Sequence, residues 1–199
     1  MDWGRAAVFY DWQLPLERPA LATALALADP RADDDLLDVG TGTGALLREL
    51  ARRRDRPRKA VGIDVSAAML RRVPALPGGW TVEQADARRL PFADGAFAVV
   101  TAAYLLHVID AAERHEIIGE CRRVLRAGGR LVTVTPAWPR TRIARLLYTP
   151  LAAAASSSGV CIGLRPLDPR RELEQAAFTI AAATYVGRGY PSLCVLATR

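Results

Sequence analysis

Lysine is almost absent from this sequence: Lys59 is the only one among 27 basic residues, and the others are arginines. The arginines are spread along the chain, so the formal net charge of +6 reflects composition more than a nucleic-acid-binding face. A basic surface affects solubility and encounter rates without identifying a partner. We therefore do not expect nucleic acid as the partner.

Cysteine is also scarce. Cys121, Cys161 and Cys194 are odd in number and far apart, which argues against a disulfide framework and a zinc knuckle. No group of residues has metal-ligand spacing, so we predict no metal. The cysteine pattern is typical of a reducing compartment, and we expect a cytoplasmic protein.

Long apolar runs are missing as well. The run at 20–28 is short and follows acidic residues, so it makes a poor secretory signal. The segment Ile143 to Gly163 is interrupted by Arg145, Pro150 and the serines at 156–158. We therefore expect no transmembrane span. The 199 residues fit one domain with a sizeable core.

The most informative stretch is an apolar run, Leu36 to Val39, that leads into Gly40, Gly42 and Gly44. Such a run predicts a buried parallel strand, and the glycines allow positive φ and close approach of a ligand. Good helix formers follow from Ala45 to Arg54. A strand, a glycine turn and a helix in this order form the cofactor crevice of an open α/β sheet.

Two features separate this turn from a nicotinamide-binding turn. The third glycine follows the second by two residues, whereas the nicotinamide fingerprint is G-x-G-x-x-G. In addition, Asp38 precedes Gly40 by two residues and is an unfavourable neighbour for a pyrophosphate. An acid at that position suits a cofactor that carries positive charge.

Acids also follow the next two predicted strands. Asp64 lies near the end of the strand Ala60 to Val65, at the distance from the glycine turn where an acid accepts hydrogen bonds from ribose hydroxyls. Ser66 is the predicted N-cap of the next helix. Asp86 follows the strand Trp80 to Ala85.

These motifs resemble those of the class I S-adenosylmethionine-dependent methyltransferases. The resemblance covers residues 34–135 and, less closely, 171–199. The segments that carry it are Asp38–Gly44, Asp64-Val65-Ser66, Asp86 with Leu90-Pro91-Phe92, Leu106-His107-Val108, Leu125–Gly129 and Leu173–Phe178.

The resemblance implies an α/β, Rossmann-like open twisted sheet of seven strands, mostly parallel with an antiparallel C-terminal strand, and helices on both faces. We expect a single domain over residues 1–199, with a helical cap at 1–30 and an insert at 136–169 that lines the substrate pocket. Apolar residues of that insert form the expected wall, or else pack structurally or drive dimerisation: Trp138, Ile143, Leu146, Leu147, Tyr148 and Ile162.

The implied cofactor is S-adenosylmethionine, converted to S-adenosylhomocysteine. Asp38 is expected to face its methionyl amino group, Asp64 its ribose, and Asp86 its adenine amino group, while the N–H of Ala87 meets a ring nitrogen. The cofactor-binding residues implied by the resemblance are Asp38, Gly40, Thr41, Gly42, Gly44, Asp64, Val65, Met69, Asp86, Ala87 and Ala102.

Two residues are candidates for catalysis. His107 follows the fourth strand and has an unperturbed pKa near neutrality, so it is a candidate general base or else a core histidine. Tyr10 belongs to an aromatic-rich N-terminal segment that either folds over the cofactor or covers the core.

The sequence favours methyl transfer to a small, apolar or aromatic metabolite, because it has neither an Asn-Pro-Pro-Tyr-like loop nor a Pro-Cys pair near the methyl site. A tRNA or rRNA methyltransferase and a non-catalytic S-adenosylmethionine-binding protein stay open as alternatives. An NAD(P)-dependent oxidoreductase is opposed by the glycine spacing. The oligomeric state, including a homodimer, is left open.

Overall fold

The computed structural model describes residues 3–146, 148–150 and 165–199, with the backbone alone described for 3–14. The strands are β1 Asp35–Val39, β2 Lys59–Asp64, β3 Trp80–Gln84, β4 Phe97–Ala103, β5 Leu125–Pro136, β6 Thr179–Val186 and β7 Ser192–Thr198. The helices are α1 Trp3–Ala28, α2 Ala45–Ala51, α3 Ala67–Leu70, α4 Ala111–Val124 and α5 Arg170–Gln175, with a 3₁₀ turn at Leu106–Val108.

All seven strands form one sheet in the order β3-β2-β1-β4-β5-β7-β6. The pairs from β3 to β5 are parallel, and β7 runs antiparallel to both β5 and β6. This arrangement confirms the predicted fold class. The strand order reverses between β1 and β4, and open α/β sheets bind their ligands at the carboxyl ends of the strands beside such a reversal.

Helices cover both faces of the sheet. Successive residues of β4 point to opposite sides, so Val99 packs in the core beneath α1 and α2, whereas Val100 packs in the core beneath α4 and α5. Both side chains are fully buried. The central strands therefore read as continuous apolar runs, which is why the sequence predicted them closely.

Helix α1 continues through two prolines. Proline usually breaks a helix, yet Pro15 and Pro19 both lie inside α1. The carbonyl of Leu16 accepts the N–H of Tyr190 at 2.9 Å, so the loop between β6 and β7 supplies a partner beside the prolines. Burial of one helix face also outweighs the breaker signal; this face consists of Ala20, Leu21, Ala24, Leu25 and Ala28.

Strand β5 begins before the glycines at 128–129, although glycines commonly mark the end of a helix. Here α4 ends at Val124, and Leu125 already pairs with Phe97 of β4. Leu125 is fully buried, so entry into the sheet hides an apolar side chain that a longer helix would not.

The loop after β3 is held in place by α4. Glu120 accepts the backbone N–H of Leu90 at 2.7 Å. Arg123 donates to the carbonyl oxygens of Leu90 and Phe92 at 3.0 and 2.8 Å, and pairs with Glu120 at 2.7 Å. Because this loop begins with Asp86, α4 helps to set the position of that carboxylate.

A buried ion pair ties β1 to β5 at the amino end of both strands. Asp34 directly precedes β1 and is 3% exposed. Its carboxylate accepts hydrogen bonds from Arg126 at 3.0 Å, from Arg130 at 2.5 Å and from the N–H of Arg31 at 3.0 Å. This contact lies at the edge of the sheet opposite the candidate site.

Candidate cofactor and active site

The parallel strands bring the three predicted acids to one edge of the sheet. Asp38 lies near the carboxyl end of β1, Asp64 ends β2, and Asp86 follows β3. A cavity of about 240 Å³ opens at this edge. Seven of the residues predicted to bind the cofactor line it: Gly40, Gly42, Asp64, Val65, Met69, Asp86 and Ala87. Four of the predicted residues do not line it: Asp38, Thr41, Gly44 and Ala102.

The glycine turn after β1 is clamped by Asp64. One carboxylate oxygen of Asp64 accepts the N–H of Gly42 at 2.9 Å, and the other accepts the N–H of Ser66 at 2.8 Å. The N–H of Thr41 also donates to the carbonyl of Ile63 at 2.8 Å. The sequence predicts only the ribose contact of Asp64 and gives no signal for its hydrogen bonds to the backbone of Gly42 and Ser66.

A side chain at Gly40 would be strained. Its φ is +70°, and a Cβ there would lie 2.9 Å from Leu105 Cδ1, so the Leu105 side chain would have to shift. Gly42 also has positive φ, at +56°, but a Cβ there would meet nothing within 4 Å. The backbone conformation therefore favours glycine at both positions, and Gly42 also leaves open space beside the cavity.

Asp38 is 1% exposed and precedes Gly40 by two residues. Its Oδ1 accepts the Thr101 hydroxyl at 2.7 Å, whereas its Oδ2 has no hydrogen-bond partner among the described residues. Burial raises the pKa of Asp38 to about 6, although the nearby Thr41 and Thr101 hydroxyls act in the opposite direction. A buried carboxylate oxygen calls for a donor or a cation.

Asp64 and Asp86 have different electrostatic surroundings. Burial raises the pKa of Asp64, and the N–H groups of Ser66 and Gly42 partly oppose the rise. The Arg88 side chain lowers the pKa of Asp86 by hydrogen bonding to its carboxylate. The surroundings therefore favour the charged form of Asp86 and disfavour that of Asp64.

Arg88 forms ion pairs at the edge of the cavity. Its guanidinium contacts Asp86 at 2.7 Å and Glu113 of α4 at 2.5 Å, and Arg88 and Glu113 both line the cavity. All three side chains stay 40–44% exposed, so we assign little stability to these pairs. They do place a cation directly beside the acid predicted to meet adenine.

The residues that line the cavity after β4 lie further along the chain than the predicted Ala102. Ala102 is 1% exposed within the strand, and the lining residues are Tyr104 and Leu105 instead. Tyr104 has φ +54°, an uncommon conformation for a residue with a Cβ. Its hydroxyl lies 2.7 Å from Ser192 Oγ of β7, which anchors the ring. The sequence carries no local signal for this turn.

His107 lies in the 3₁₀ turn and is 5% exposed. Burial, together with the charge of Arg165, lowers the pKa of His107 to about 3. Its ring lies 6.2 Å from the ring of Tyr104, and it is not among the cavity-lining residues. The burial and position of His107 therefore favour a structural role in the core over a role as general base.

Tyr10 lies in α1, and its side chain is outside the part of the chain that the structure describes. Its catalytic role stays a prediction.

The predicted apolar wall of the insert stays a prediction, because none of its described residues lines the cavity at the sheet edge. Tyr148 is buried, and its ring lies 5.8 Å from that of Trp138. Ile143 and Leu146 are 77% and 75% exposed, so they do not line an enclosed pocket. The other two predicted wall residues, Leu147 and Ile162, lie outside the described residues.

The described residues, 3–146, 148–150 and 165–199, contain neither a candidate metal site nor a candidate membrane span. No group of three or more His, Cys, Asp or Glu side chains there is arranged to hold a metal ion. No helix in the same ranges combines the length and apolar character needed to cross a bilayer.

Comparison with known proteins identifies the domain. Residues 36–129 match a family profile described as a methyltransferase domain. Residues 36–129 therefore form a methyltransferase domain. The predicted family and its cofactor, S-adenosylmethionine, are thereby confirmed.

Curated relatives of this methyltransferase domain include methyltransferases named for quinone biosynthesis. The chain is 36% identical over 121 residues to the ubiquinone/menaquinone biosynthesis C-methyltransferase UbiE of Geobacter sulfurreducens. This match covers 57% of this chain and 46% of the relative. It is 37% identical over 135 residues to the demethylmenaquinone methyltransferase of Roseiflexus castenholzii, which covers 66% and 55%. The chain thus spans about half the length of the curated relatives that it matches.

Solved structures extend the likeness of the methyltransferase domain to the whole fold. The [4+2]-cyclase SpnF superposes with a TM-score of 0.70 at 19% identity, over 91% of this chain and 80% of that one. At this identity the likeness shows the fold alone. Because that neighbour is named as a cyclase, the fold does not by itself fix the reaction.

Proposed function

We propose that this protein transfers the methyl group of S-adenosylmethionine to a small, apolar or aromatic acceptor. The observation that carries the proposal is the buried carboxylate of Asp38, whose Oδ2 has no hydrogen-bond partner among the described residues. A pyrophosphate beside this acid would be repelled, whereas an ammonium group supplies both the charge and the donors.

The residues at the sheet edge fit the parts of S-adenosylmethionine. Asp38 does not line the cavity itself, but it lies two residues before Gly40, which does, and it would hold the methionyl amino group. Asp64 would hold the ribose hydroxyls, and Asp86 with Ala87 the adenine. Asp64 retains lone pairs for this purpose, because each carboxylate oxygen accepts one backbone N–H. When bound, the cofactor supplies a methyl group on a positively charged sulfur, which is open to in-line attack.

The chain contributes mainly position and exclusion of water. Tyr104, Leu105 and Val108 give the cavity an apolar side next to β4. With its lowered pKa, His107 is too weak a base to remove a proton from an ordinary alcohol or ammonium group. We therefore expect an acceptor whose nucleophile is acidic in itself, such as a phenol, an enol or an activated carbon.

The names of the relatives support an acceptor of the quinone-precursor type, because such a ring offers an activated carbon next to a phenolic hydroxyl. We also propose that the protein works in the cytoplasm. The buried thiols of Cys121 and Cys194 are free, and Cys161 lies outside the described residues.

Two assays test this function. Thermal-shift measurements with S-adenosylmethionine, S-adenosylhomocysteine and NAD should show stabilisation by the first two alone. A labelled-methyl assay over metabolite extracts and unmodified tRNA should then label a small molecule. Labelled tRNA would replace the proposed acceptor, and cofactor binding without any labelled product would favour a non-catalytic binding protein.

The raised pKa of Asp38 predicts that cofactor affinity falls in acid. If the charged carboxylate binds the ammonium group, protonation near pH 6 removes that contact. At about pH 5 roughly one tenth of Asp38 is charged, so calorimetry should show S-adenosylhomocysteine binding about tenfold more weakly than at neutral pH.

Asp38→Asn is the matched control for this pH effect. The variant should bind weakly at both pH values, with no change between them. Without ligand, the stability supplied by Asp38 is present below its unfolded pKa of about 4 and is lost as pH rises through about 6. The Asn variant should therefore unfold at a higher temperature than the wild type at neutral pH. A wild-type affinity that is unchanged between the two pH values would remove Asp38 from the binding site.

A further inference from the structure

One surface next to the candidate site combines exposed apolar side chains with arginines. Ile143 and Leu146 are 77% and 75% exposed, and Trp138 is 40% exposed. Ile143 and Leu146 belong to a helical segment at 142–146 and are three residues apart, so they project from the same side. Large exposed apolar side chains that are grouped together mark sites that bind another protein, a membrane or a ligand.

Three arginines are interleaved with these apolar residues. Arg140, Arg142 and Arg145 are all exposed. Among the described residues, none of their guanidinium groups lies within salt-bridge distance of a carboxylate. The sequence contains no Asp or Glu from Cys121 to Leu167, so nearby chain segments offer no acid.

Two of the arginines are ordered by aromatic rings. The guanidinium of Arg140 lies 4.3 Å from the ring centre of Tyr185, and that of Arg145 lies 5.5 Å from that of Trp138. These contacts hold the charges at the surface without neutralising them. The surface therefore pairs a fixed positive charge with an apolar side.

We propose that Trp138, Arg140, Arg142, Ile143, Arg145 and Leu146, here called the 138–146 patch, dock the protein on an anionic lipid bilayer. Ile143 and Leu146 would enter the boundary between headgroups and acyl chains, while the arginines meet the lipid phosphates. A short amphipathic segment of this composition lies in the membrane interface and does not cross it.

The place of the patch in the fold supports this docking. The patch follows β5, which is parallel to β4 and next to it, so it lies at the same edge of the sheet as the cofactor cavity. A docked protein would thus turn that edge toward the membrane. The docking does not depend on the proposed reaction.

The exposed apolar side chains favour a bilayer over nucleic acid. Phosphate contacts would use the arginines alone and leave Ile143 and Leu146 in water. If two copies of this chain met through the same patch, the three arginines of one copy would face the three arginines of the other. Residues 121–167 contain no acid that could offset this repulsion. An anionic bilayer matches both the charge and the apolar character.

Vesicle flotation tests the proposal. The wild-type protein should float with vesicles that contain equal amounts of phosphatidylglycerol and phosphatidylcholine, and stay unbound with phosphatidylcholine alone. High salt should weaken the binding. The variant Arg140→Gln/Arg142→Gln/Arg145→Gln should bind about a hundredfold more weakly, at about fivefold for each arginine.

Ile143→Ser/Leu146→Ser should also lower vesicle binding, by at least about tenfold. The matched charge control is Arg54→Gln/Arg58→Gln/Lys59→Gln, which removes three exposed charges at the opposite edge of the sheet and should keep most of the binding. Both patch variants change exposed side chains, so their thermal unfolding should match the wild type.

Four results would overturn the proposal. The first is a wild-type protein that does not float with the anionic vesicles. The second is equal loss of binding in the patch variants and the charge control. The third is binding to tRNA that depends on the patch arginines but not on Ile143 and Leu146. The fourth is a dimer in sedimentation that Ile143→Ser/Leu146→Ser dissociates while its vesicle binding stays unchanged.

Discussion

Replacing Asp64 with alanine should weaken S-adenosylhomocysteine binding by at least about tenfold in calorimetry. Two effects add in this variant. It removes the acceptor proposed for the ribose hydroxyls, and bonds to a charged acceptor are worth about 1.5–3 kcal/mol. It also frees the N–H groups of Gly42 and Ser66, which Asp64 holds at 2.9 and 2.8 Å, so the glycine turn loses its clamp.

Two further variants separate these effects. Asp64→Asn keeps one acceptor oxygen and should fall between the wild type and the alanine variant. Asp55→Ala removes an exposed acid away from the cavity and should bind as the wild type does. An unchanged affinity in Asp64→Ala would discard the proposed arrangement of the cofactor.

Replacing Asp34 with alanine should lower the free energy of unfolding by about 2–4 kcal/mol. The carboxylate is buried, and its loss leaves Arg130, whose side chain is 22% exposed, without its partner. The backbone N–H of Arg31 loses its acceptor as well. Urea titration should show a lower midpoint with an unchanged slope.

Asp33→Ala is the matched control, because Asp33 is the exposed neighbour of Asp34. It should change the free energy of unfolding by less than about 0.5 kcal/mol. Cofactor affinity should be unchanged in Asp34→Ala, since Asp34 lies at the opposite edge of the sheet. Equal midpoints for the two variants would show that the ion pair contributes little.

Local sequence patterns predicted the central strands and the glycine turn because burial, backbone conformation and helix capping there depend on residues close together in sequence. The apolar run of β4 is buried on both faces, and Gly40 and Gly42 take the positive φ values that a turn after a buried strand needs. Ser66 caps α3 as its side chain suggests, by accepting the N–H of Met69 at 3.3 Å. These features depend on residues that are close together in sequence.

What the sequence did not predict depends on distant partners. Arg88 pairs with Glu113, which is 25 residues away. The clamp from Asp64 to Gly42 spans 22 residues. The prolines of α1 lie inside a helix whose burial the rest of the fold supplies. Tyr104 lines the cavity through a backbone turn that its hydroxyl anchors to Ser192.

The most direct test of the account is a crystal structure of the protein with S-adenosylhomocysteine. We expect the ribose hydroxyls within about 3.2 Å of the Asp64 carboxylate and the methionyl ammonium group as the partner of Asp38 Oδ2. A ligand bound away from the edge formed by Asp38, Asp64 and Asp86 would contradict the account.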